Sequence, residues 1–233
     1  MIRTVAETGS TNADLLAEVK AGSPEGTWLR AERQTGGRGR LGRAWRSGAG
    51  NLHASTIVRL RAGDPDAATL ALVAAVALEE VASAYAPHAA LGIKWPNDLM
   101  AGPAKLAGIL LERAGDAVVV GFGVNLAHHP DGLDRPTTSL PALGMTAPDS
   151  ATFLIDLADA LARWLAQWRA QGLGPITRRW IDRAHPIGTA LRAATPGGQI
   201  AGLFDGLTPE GALRLRRVSG EVEVIRAGDV FLL

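Results

Sequence analysis

Between residues 36 and 46 the chain reads Gly36-Gly37-Arg38-Gly39-Arg40-Leu41-Gly42-Arg43-Ala44-Trp45-Arg46. Glycines leave backbone N–H groups accessible, and guanidinium forks match phosphate or carboxylate oxygens in pairs, so this segment suits the gathering of an anion. Four like charges so close repel one another until an anion joins them, which predicts a loop that orders when loaded. A dinucleotide fingerprint on Gly37, Gly39 and Gly42 requires a helix straight after it, and a strand follows instead. A second cluster is Lys94-Trp95-Pro96-Asn97-Asp98-Leu99, followed by Lys105. Pro96 breaks a strand, and a sharp turn there projects Asn97 and Asp98 from the sheet edge. A carboxylate beside a lysine is the minimum kit for a magnesium–phosphate group. Gly121 and Gly123, two apart on an apolar strand ending at Asn125, suggest close approach by a ligand or another backbone. Ser10-Thr11-Asn12 sets two hydroxyls and an amide at a helix start, and Gln34 stands at the mouth of the arginine loop. Plainer readings stand beside each: a solvated basic loop, a surface ion pair, glycines packed under a bulky neighbour, and ordinary helix capping.

Composition sharpens the choice. Of 24 basic residues only Lys20, Lys94 and Lys105 are lysine, and asparagine occurs only at positions 12, 51, 97 and 125. In a chain that uses arginine wherever any cation serves, the rare lysines and asparagines point to places where the substitute fails. The formal net charge of +1 is not that of a polyanion binder. With no cysteine, a disulfide scaffold, a thiolate metal site and a cysteine nucleophile are excluded. The five histidines show no metal-site spacing, and no nucleophile elbow or Walker phosphate loop occurs. The N-terminus lacks a signal-peptide apolar region. The longest apolar stretch, Ala67 to Leu78, ends at Glu79 and Glu80, short of the ~20 residues that cross a bilayer. These features predict a soluble cytoplasmic protein without a membrane partner.

The elements that must position these residues follow from pattern. Thr11-Asn12-Ala13-Asp14 has capping-box spacing ahead of Leu15, Leu16 and Val19, so a short helix starts at Thr11. Strands are predicted over 27–32, 51–60, 91–95, 106–112 and 117–124, and a long Ala-rich helix over 66–86. Ser150 caps an amphipathic helix with Phe153, Leu157, Leu161, Trp164 and Trp168 on one face, and a shorter helix runs to Arg183. After His185-Pro186 the turn signals multiply, and Ser219-Gly220 suits a two-residue hairpin. The boundary therefore falls near Pro186, dividing residues 1–185 from a small β module at 186–233.

Taken in order, Ser10-Thr11-Asn12, the GRGR-x-GR-x-W core from Gln34 to Trp45, Lys94 to Leu99, Lys105 to Leu110 and Gly121-x-Gly-x-Asn125 strongly resemble the biotin–protein ligases. The resemblance spans the whole chain. It implies an α+β catalytic domain, with a mixed β-sheet and flanking helices, followed by an SH3-like β-barrel. It also implies two reactions: biotin and Mg2+·ATP give biotinyl-5′-AMP and pyrophosphate, and a lysine of a biotin carboxyl carrier protein domain then takes the biotin as an amide. On this resemblance Lys105, Asp98, Lys94 and Arg40 carry the catalysis. Ser10, Thr11, Asn12, Gln34, Gly37, Arg38, Gly39, Arg40, Trp45, Lys105 and Gly108 hold biotin. Arg38, Arg40, Arg43, Trp45, Asn97 and Asn125 hold ATP or the adenylate, and Asp98 is the magnesium ligand or the base for transfer. Trp95 is expected to pack around ligand or loop. The first motif begins at residue 10, which predicts the monofunctional class and no specific DNA binding. Exposed strand edges allow a homodimer.

Two other classes compete. A lipoate–protein ligase has a similar catalytic fold but no reason for Ser-Thr-Asn or the doubled arginine motif. A non-catalytic biotin sensor or RNA-binding adaptor has no reason to keep Lys94, Asp98, Lys105 and Asn125.

Overall fold

The computed structural model describes residues 1–46, 48–133 and 135–233. Strands β1 (Ile2–Thr8), β2 (Trp28–Gln34), β3 (Leu52–Arg59), β4 (Leu91–Lys94), β5 (Asp98–Ala101), β6 (Ala104–Ala114) and β7 (Ala117–Val124) form one seven-stranded sheet. Its order is β1-β2-β3-β7-β6-β5-β4. Among the strands of the described residues only β1 and β2 pair in parallel; the helix between them, α1 (Thr11–Lys20), supplies the crossover that parallel pairing needs. The remaining pairs are antiparallel, giving the expected mixed sheet.

Strand alternation sorts the two faces. Leu52, Ala54 and Val58 of β3 enter the main core with α2 (Leu70–Tyr85) and α3 (Ser150–Gln171). Ile57, on the opposite side of the pleat, meets Leu15 and Val19 of α1 in a smaller core. The helix α2 is buried nearly all round. With the turn before it, Ala67–Tyr85 is the only helix among the described residues long and apolar enough to cross a membrane, and two-thirds of it is buried within the protein. Glu79, which ends the apolar stretch, lies inside this helix as expected. Its carboxylate is fully buried and meets Arg179 at 2.8 Å and Arg183 at 3.4 Å, and that pairing is what makes a buried charge tolerable. Arg179 belongs to the short helix α4 (Gly174–Asp182).

Other boundaries differ from expectation by local chemistry. α1 starts at Thr11 as expected, but its N-cap is Ser10, which accepts from Ala13 N. Asp149, not Ser150, caps α3, because its carboxylate reaches both Ala151 N and Thr152 N. Strands β1 and β5 were not predicted. β1 is mostly exposed and lacks clean alternation, and β5 is only four residues long.

Five further strands, β8 (Ala190–Thr195), β9 (Gly198–Leu207), β10 (Leu213–Arg216), β11 (Val222–Ile225) and β12 (Asp229–Leu232), make an antiparallel sheet in the order β11-β10-β9-β8-β12. This is a small SH3-like module. The turn between β10 and β11 is longer than the two residues expected. Arg217 and Glu221 are still hydrogen-bonded, so three residues turn the chain, with Gly220 at φ 87°. The two sheets meet through Trp180 and Phe204, edge-on at 6.3 Å, and through Trp95, whose Nε1 donates to Gly211 O at 3.3 Å.

Candidate active site

Cross-strand register assembles the site. His53, Gly123, Gly108, Asp98 and Lys94 lie opposite one another in a single row across β3, β7, β6, β5 and β4, so they share the face that α1 covers. The next row along β3, β7 and β6 is Ser55, Gly121 and Leu110. Above these rows opens a cleft of about 600 Å3, lined by the arginine loop, the start of α1 and residues of β12.

At one end of the cleft the Ser-Thr-Asn motif forms a buried polar relay. Gln34 Oε1 accepts from Thr11 N at 2.8 Å and from Thr11 Oγ1 at 3.1 Å. Thr11 Oγ1 lies 2.6 Å from Ser55 Oγ, which donates to Asn12 Oδ1 at 2.5 Å. Asn12 Nδ2 donates to Glu112 at 2.8 Å. A Cβ at Gly121 would stand 2.1 Å from Asn12 Oδ1, which is why only glycine fits there. Ser55 and Glu112 were not found from sequence, although the β3 alternation already put Ser55 on this face.

At the floor, Asp98 is nearly inaccessible and lies between two ammonium groups, Lys105 Nζ at 2.5 Å and Lys94 Nζ at 3.2 Å. Burial pushes the Asp98 pKa up, but Lys105 and Lys94 together outweigh it and hold the carboxyl below its ordinary value. Burial pulls Lys94 below the ordinary lysine range, with Asp98 resisting. Asp98 is therefore not projected from the sheet edge. It is the first residue of β5, paired back onto β4, and it points into the site.

This geometry does not fit a resident metal. Each Asp98 oxygen already faces an ammonium, and among the described residues no three His, Cys, Asp or Glu side chains gather as a metal site.

Trp45 packs against the glycine floor. A Cβ at Gly123 would be 2.4 Å from its ring, one at Gly108 would be 2.9 Å from Lys105 Nζ, and one at Gly37 would be 2.7 Å from Trp45 O. Lys105 Nζ sits 5.6 Å from the Trp45 ring centroid. Among the described residues, three that line the cleft keep buried polar atoms without partners: the donors Trp45 Nε1 and Arg192 Nε and the acceptor Asn125 Oδ1. Such orphans mark places where a polar ligand completes the hydrogen bonding.

The arginine loop already has an internal counter-ion, Asp229 of β12. Asp229 pairs with Arg43, with Arg40 at 3.6 Å and with Arg135 at 3.3 Å. Burial raises its pKa, and the arginines, Arg43 first, more than reverse this. Arg40 also reaches Asn97 Oδ1 at 3.3 Å and Gly228 O at 3.2 Å. Within the loop, Gly39 N donates to Arg43 O at 2.7 Å, which closes the tip around Leu41.

The cleft thus collects Ser10, Thr11, Asn12, Gln34, Arg38, Gly39, Arg40, Arg43, Trp45, Asn97, Asp98, Lys105, Gly108 and Asn125 of the expected residues, while Gly37, Lys94 and Trp95 are not among its lining. Lys94 lies beneath the floor behind Asp98. Asn97 spends its amide on Ile109 O at 2.6 Å and its oxygen on Arg40, so it braces the loop rather than facing the cleft with free groups. Trp95 packs at the seam between the sheets instead of around ligand or loop. Arg135, Arg192, Asp229 and Phe231 line the cleft and carried no sequence signal, because 90 or more residues separate them from the loop they approach.

Residues 6–125 match the model of the Biotin/lipoate A/B protein ligase family, and residues 187–233 match that of the Biotin protein ligase C terminal domain. The chain is 42% identical over 238 residues to the biotin–[acetyl-CoA-carboxylase] ligase of Paracoccus denitrificans, spanning 97% of this chain and 98% of that one. It is 40% identical over 235 residues to the ligase of the same name from Mycobacterium tuberculosis, spanning 97% and 86%. A solved structure of the biotin protein ligase from Aquifex aeolicus, in complex with biotin and ATP, shares the fold with a TM-score of 0.89 and 24% identity. That match covers 100% of this chain and 99% of the other.

Proposed function

This chain belongs to the Biotin/lipoate A/B protein ligase family, and from that premise we infer that it is an ATP-dependent biotin–protein ligase. It activates biotin to biotinyl-5′-AMP and transfers the biotinyl group to a lysine of an acceptor protein. The observation that carries the reading is the pairing of a neutral polar relay with a cationic floor in one cleft. Thr11, Asn12 and Gln34, backed by the buried Ser55, offer amide and hydroxyl partners to an uncharged ring, and Lys105 stands beside them for a carboxylate.

In the first step two anions, a carboxylate and an α-phosphate, must approach each other. In this reading Lys105, held in place by Asp98, neutralises both and stabilises the charge that develops at phosphorus. Arg38, Arg40 and Arg43 gather the phosphates, exchanging Asp229 for the ligand. The loop and Trp45 then cover the mixed anhydride and keep water from it. Asn125 turns its free oxygen toward the nucleotide. In the second step the amine of the incoming lysine attacks the carbonyl carbon of biotinyl-AMP, and AMP leaves as the amide forms. We propose that this lysine belongs to a biotin carboxyl carrier domain of a carboxylase.

The decisive experiment is ATP–pyrophosphate exchange with biotin, lipoate, octanoate or no acid. Exchange with biotin alone is expected. Exchange with lipoate or octanoate instead would move the chain to the lipoate side of its family. Folded protein that exchanges with none of them would demote it to a binding module.

A further inference from the structure

Glu112 takes no part in the chemistry described so far, yet it ends the buried relay. On β6 it follows Gly108 and Leu110 on the same side of the pleat. Its row across the sheet holds Val119 and Ile57, the apolar residues beneath α1. Among the described residues no cation pairs with its carboxylate, and its one hydrogen bond comes from Asn12 Nδ2 at 2.8 Å. The Asn12 amide is nearly symmetric in shape. Gly121, pressed against it, fixes its position without distinguishing the oxygen from the NH2. Hydrogen bonding must make that distinction. Glu112 takes the NH2, and the other acceptor in reach, Leu110 O, stands at 3.5 Å, the limit of a hydrogen bond. Asn12 Oδ1 is thereby turned toward Ser55.

The hydrogens of the relay then fall one short. Ser55 Oγ gives its hydrogen to Asn12 Oδ1 at 2.5 Å. Gln34 Oε1 accepts the Thr11 backbone N–H, so that atom is the oxygen, and Thr11 Oγ1 at 3.1 Å must also donate to it. Thr11 Oγ1 and Ser55 Oγ therefore lie 2.6 Å apart with no hydrogen left for the contact between them. We propose that Glu112 is a positioning residue for the ring-binding end of the cleft: by orienting Asn12 it keeps the relay one hydrogen short, so that a ligand N–H given to Gln34 completes it. Gln34 lines the cleft, and when its oxygen accepts the ligand N–H the Thr11 hydroxyl turns to Ser55 and fills the gap. The proposal rests on the biotin reading above, in which the ring carries such N–H groups. A dithiolane ring carries none and leaves the shortage in place. Without Glu112 the Asn12 amide turns over. Its NH2 donates to Ser55, Ser55 to Thr11 and Thr11 to Gln34, and the empty relay satisfies itself.

The test uses the full chain and biotin as the probe, titrated by calorimetry without ATP. Glu112→Leu is expected to bind biotin about 10-fold more weakly. Its melting temperature should stay level or rise, because the relay no longer waits for a ligand. Pyrophosphate exchange at saturating biotin and ATP should remain within about twofold of the parent protein, since neither Lys105 nor the arginine loop is touched. Glu112→Gln, which still offers Asn12 an amide oxygen, should bind biotin with an affinity between the two, and it provides the comparison with the parent if Glu112→Leu does not fold. Unchanged biotin affinity in folded Glu112→Leu overturns the proposal. So does a lowered melting temperature with weaker binding that Glu112→Gln does not restore, which would make Glu112 a packing residue. The biotin reading is checked separately, by biotin-dependent exchange in the unsubstituted chain.

Discussion

Asp98 is the residue on which the chemistry turns, because its single carboxylate positions both floor lysines. A buried carboxylate between two ammonium groups holds them at fixed places, and what faces the cleft is Lys105. Removing that ammonium takes away the group that meets both reacting anions, while the Lys94–Asp98 pair stays intact. Lys105→Ala is therefore expected to lower biotin-dependent pyrophosphate exchange by about 10²- to 10³-fold. The comparison needs a melting curve beside it, since the same change leaves Asp98 with one counter-charge instead of two. Exchange at the parent rate in a folded Lys105→Ala protein would remove Lys105 from the chemistry.

At the scale of elements, the loop from 36 to 46 is held in tension. Leu41, at its tip, adopts φ 58°, a left-handed conformation that costs a non-glycine residue roughly 1–2 kcal/mol, and its side chain is 77% exposed. The two arginines flanking Leu41 and Gly42 pull the tip down onto Asp229, and Arg40 adds bonds to Asn97 and Gly228. One loop thus touches the turn before β5 and the C-terminal module at once. Cutting it free at Arg40 should affect retention more than synthesis. Arg40→Gly is expected to keep making biotinyl-AMP but to release it about 10- to 100-fold faster. Biotin should then appear on bystander lysines, read by avidin blotting of an added non-acceptor protein. Loss of adenylation with no bystander labelling would contradict the retention role.

Across the whole molecule, Glu25 ties remote parts of the catalytic sheet together. It receives Arg169 of α3 at 2.8 and 2.6 Å, Arg61 at 2.8 Å and Arg59 N at 2.9 Å. The hydrogen bond from Arg169 is the largest cause of its depressed pKa, moved from 4.5 to about 2. A depressed folded-state pKa means that stability is fully present above the unfolded value and is lost as pH falls through the folded one. Glu25→Gln should therefore be less stable than the parent protein at pH 7, by about 2 kcal/mol. That gap should close between pH 4.5 and about 2. Urea unfolding of both proteins across this range checks it, and a gap that is constant with pH would assign the effect to packing rather than charge.

Amino-acid order alone conveyed the ligase resemblance, most of the strands and helices, Thr11, Asn12 and Gln34 of the relay, and the residues of the floor. These are local signals: Ser10-Thr11-Asn12 sits at one helix start, Lys94 and Asp98 at one turn, and the glycines at 121 and 123 on one strand. What order could not convey is which groups from distant segments meet. The pleat placed Asp98, Gly108 and Gly123 in one row, and so turned a presumed edge residue into the buried centre of the site. It also fitted Asn12 into the space that a side chain at 121 would fill. Closure of β12 against the arginine loop brought Asp229 to Arg40 and Arg43 across more than 180 residues, and Phe231 to Arg135 and Arg192. Burial then decided the roles: Lys94 and Asn97 are spent on their neighbours, while Trp45, Asn125 and Arg192 keep polar atoms for a ligand. Desolvation and pairing depend on three-dimensional neighbours, and those exist only once the chain has folded.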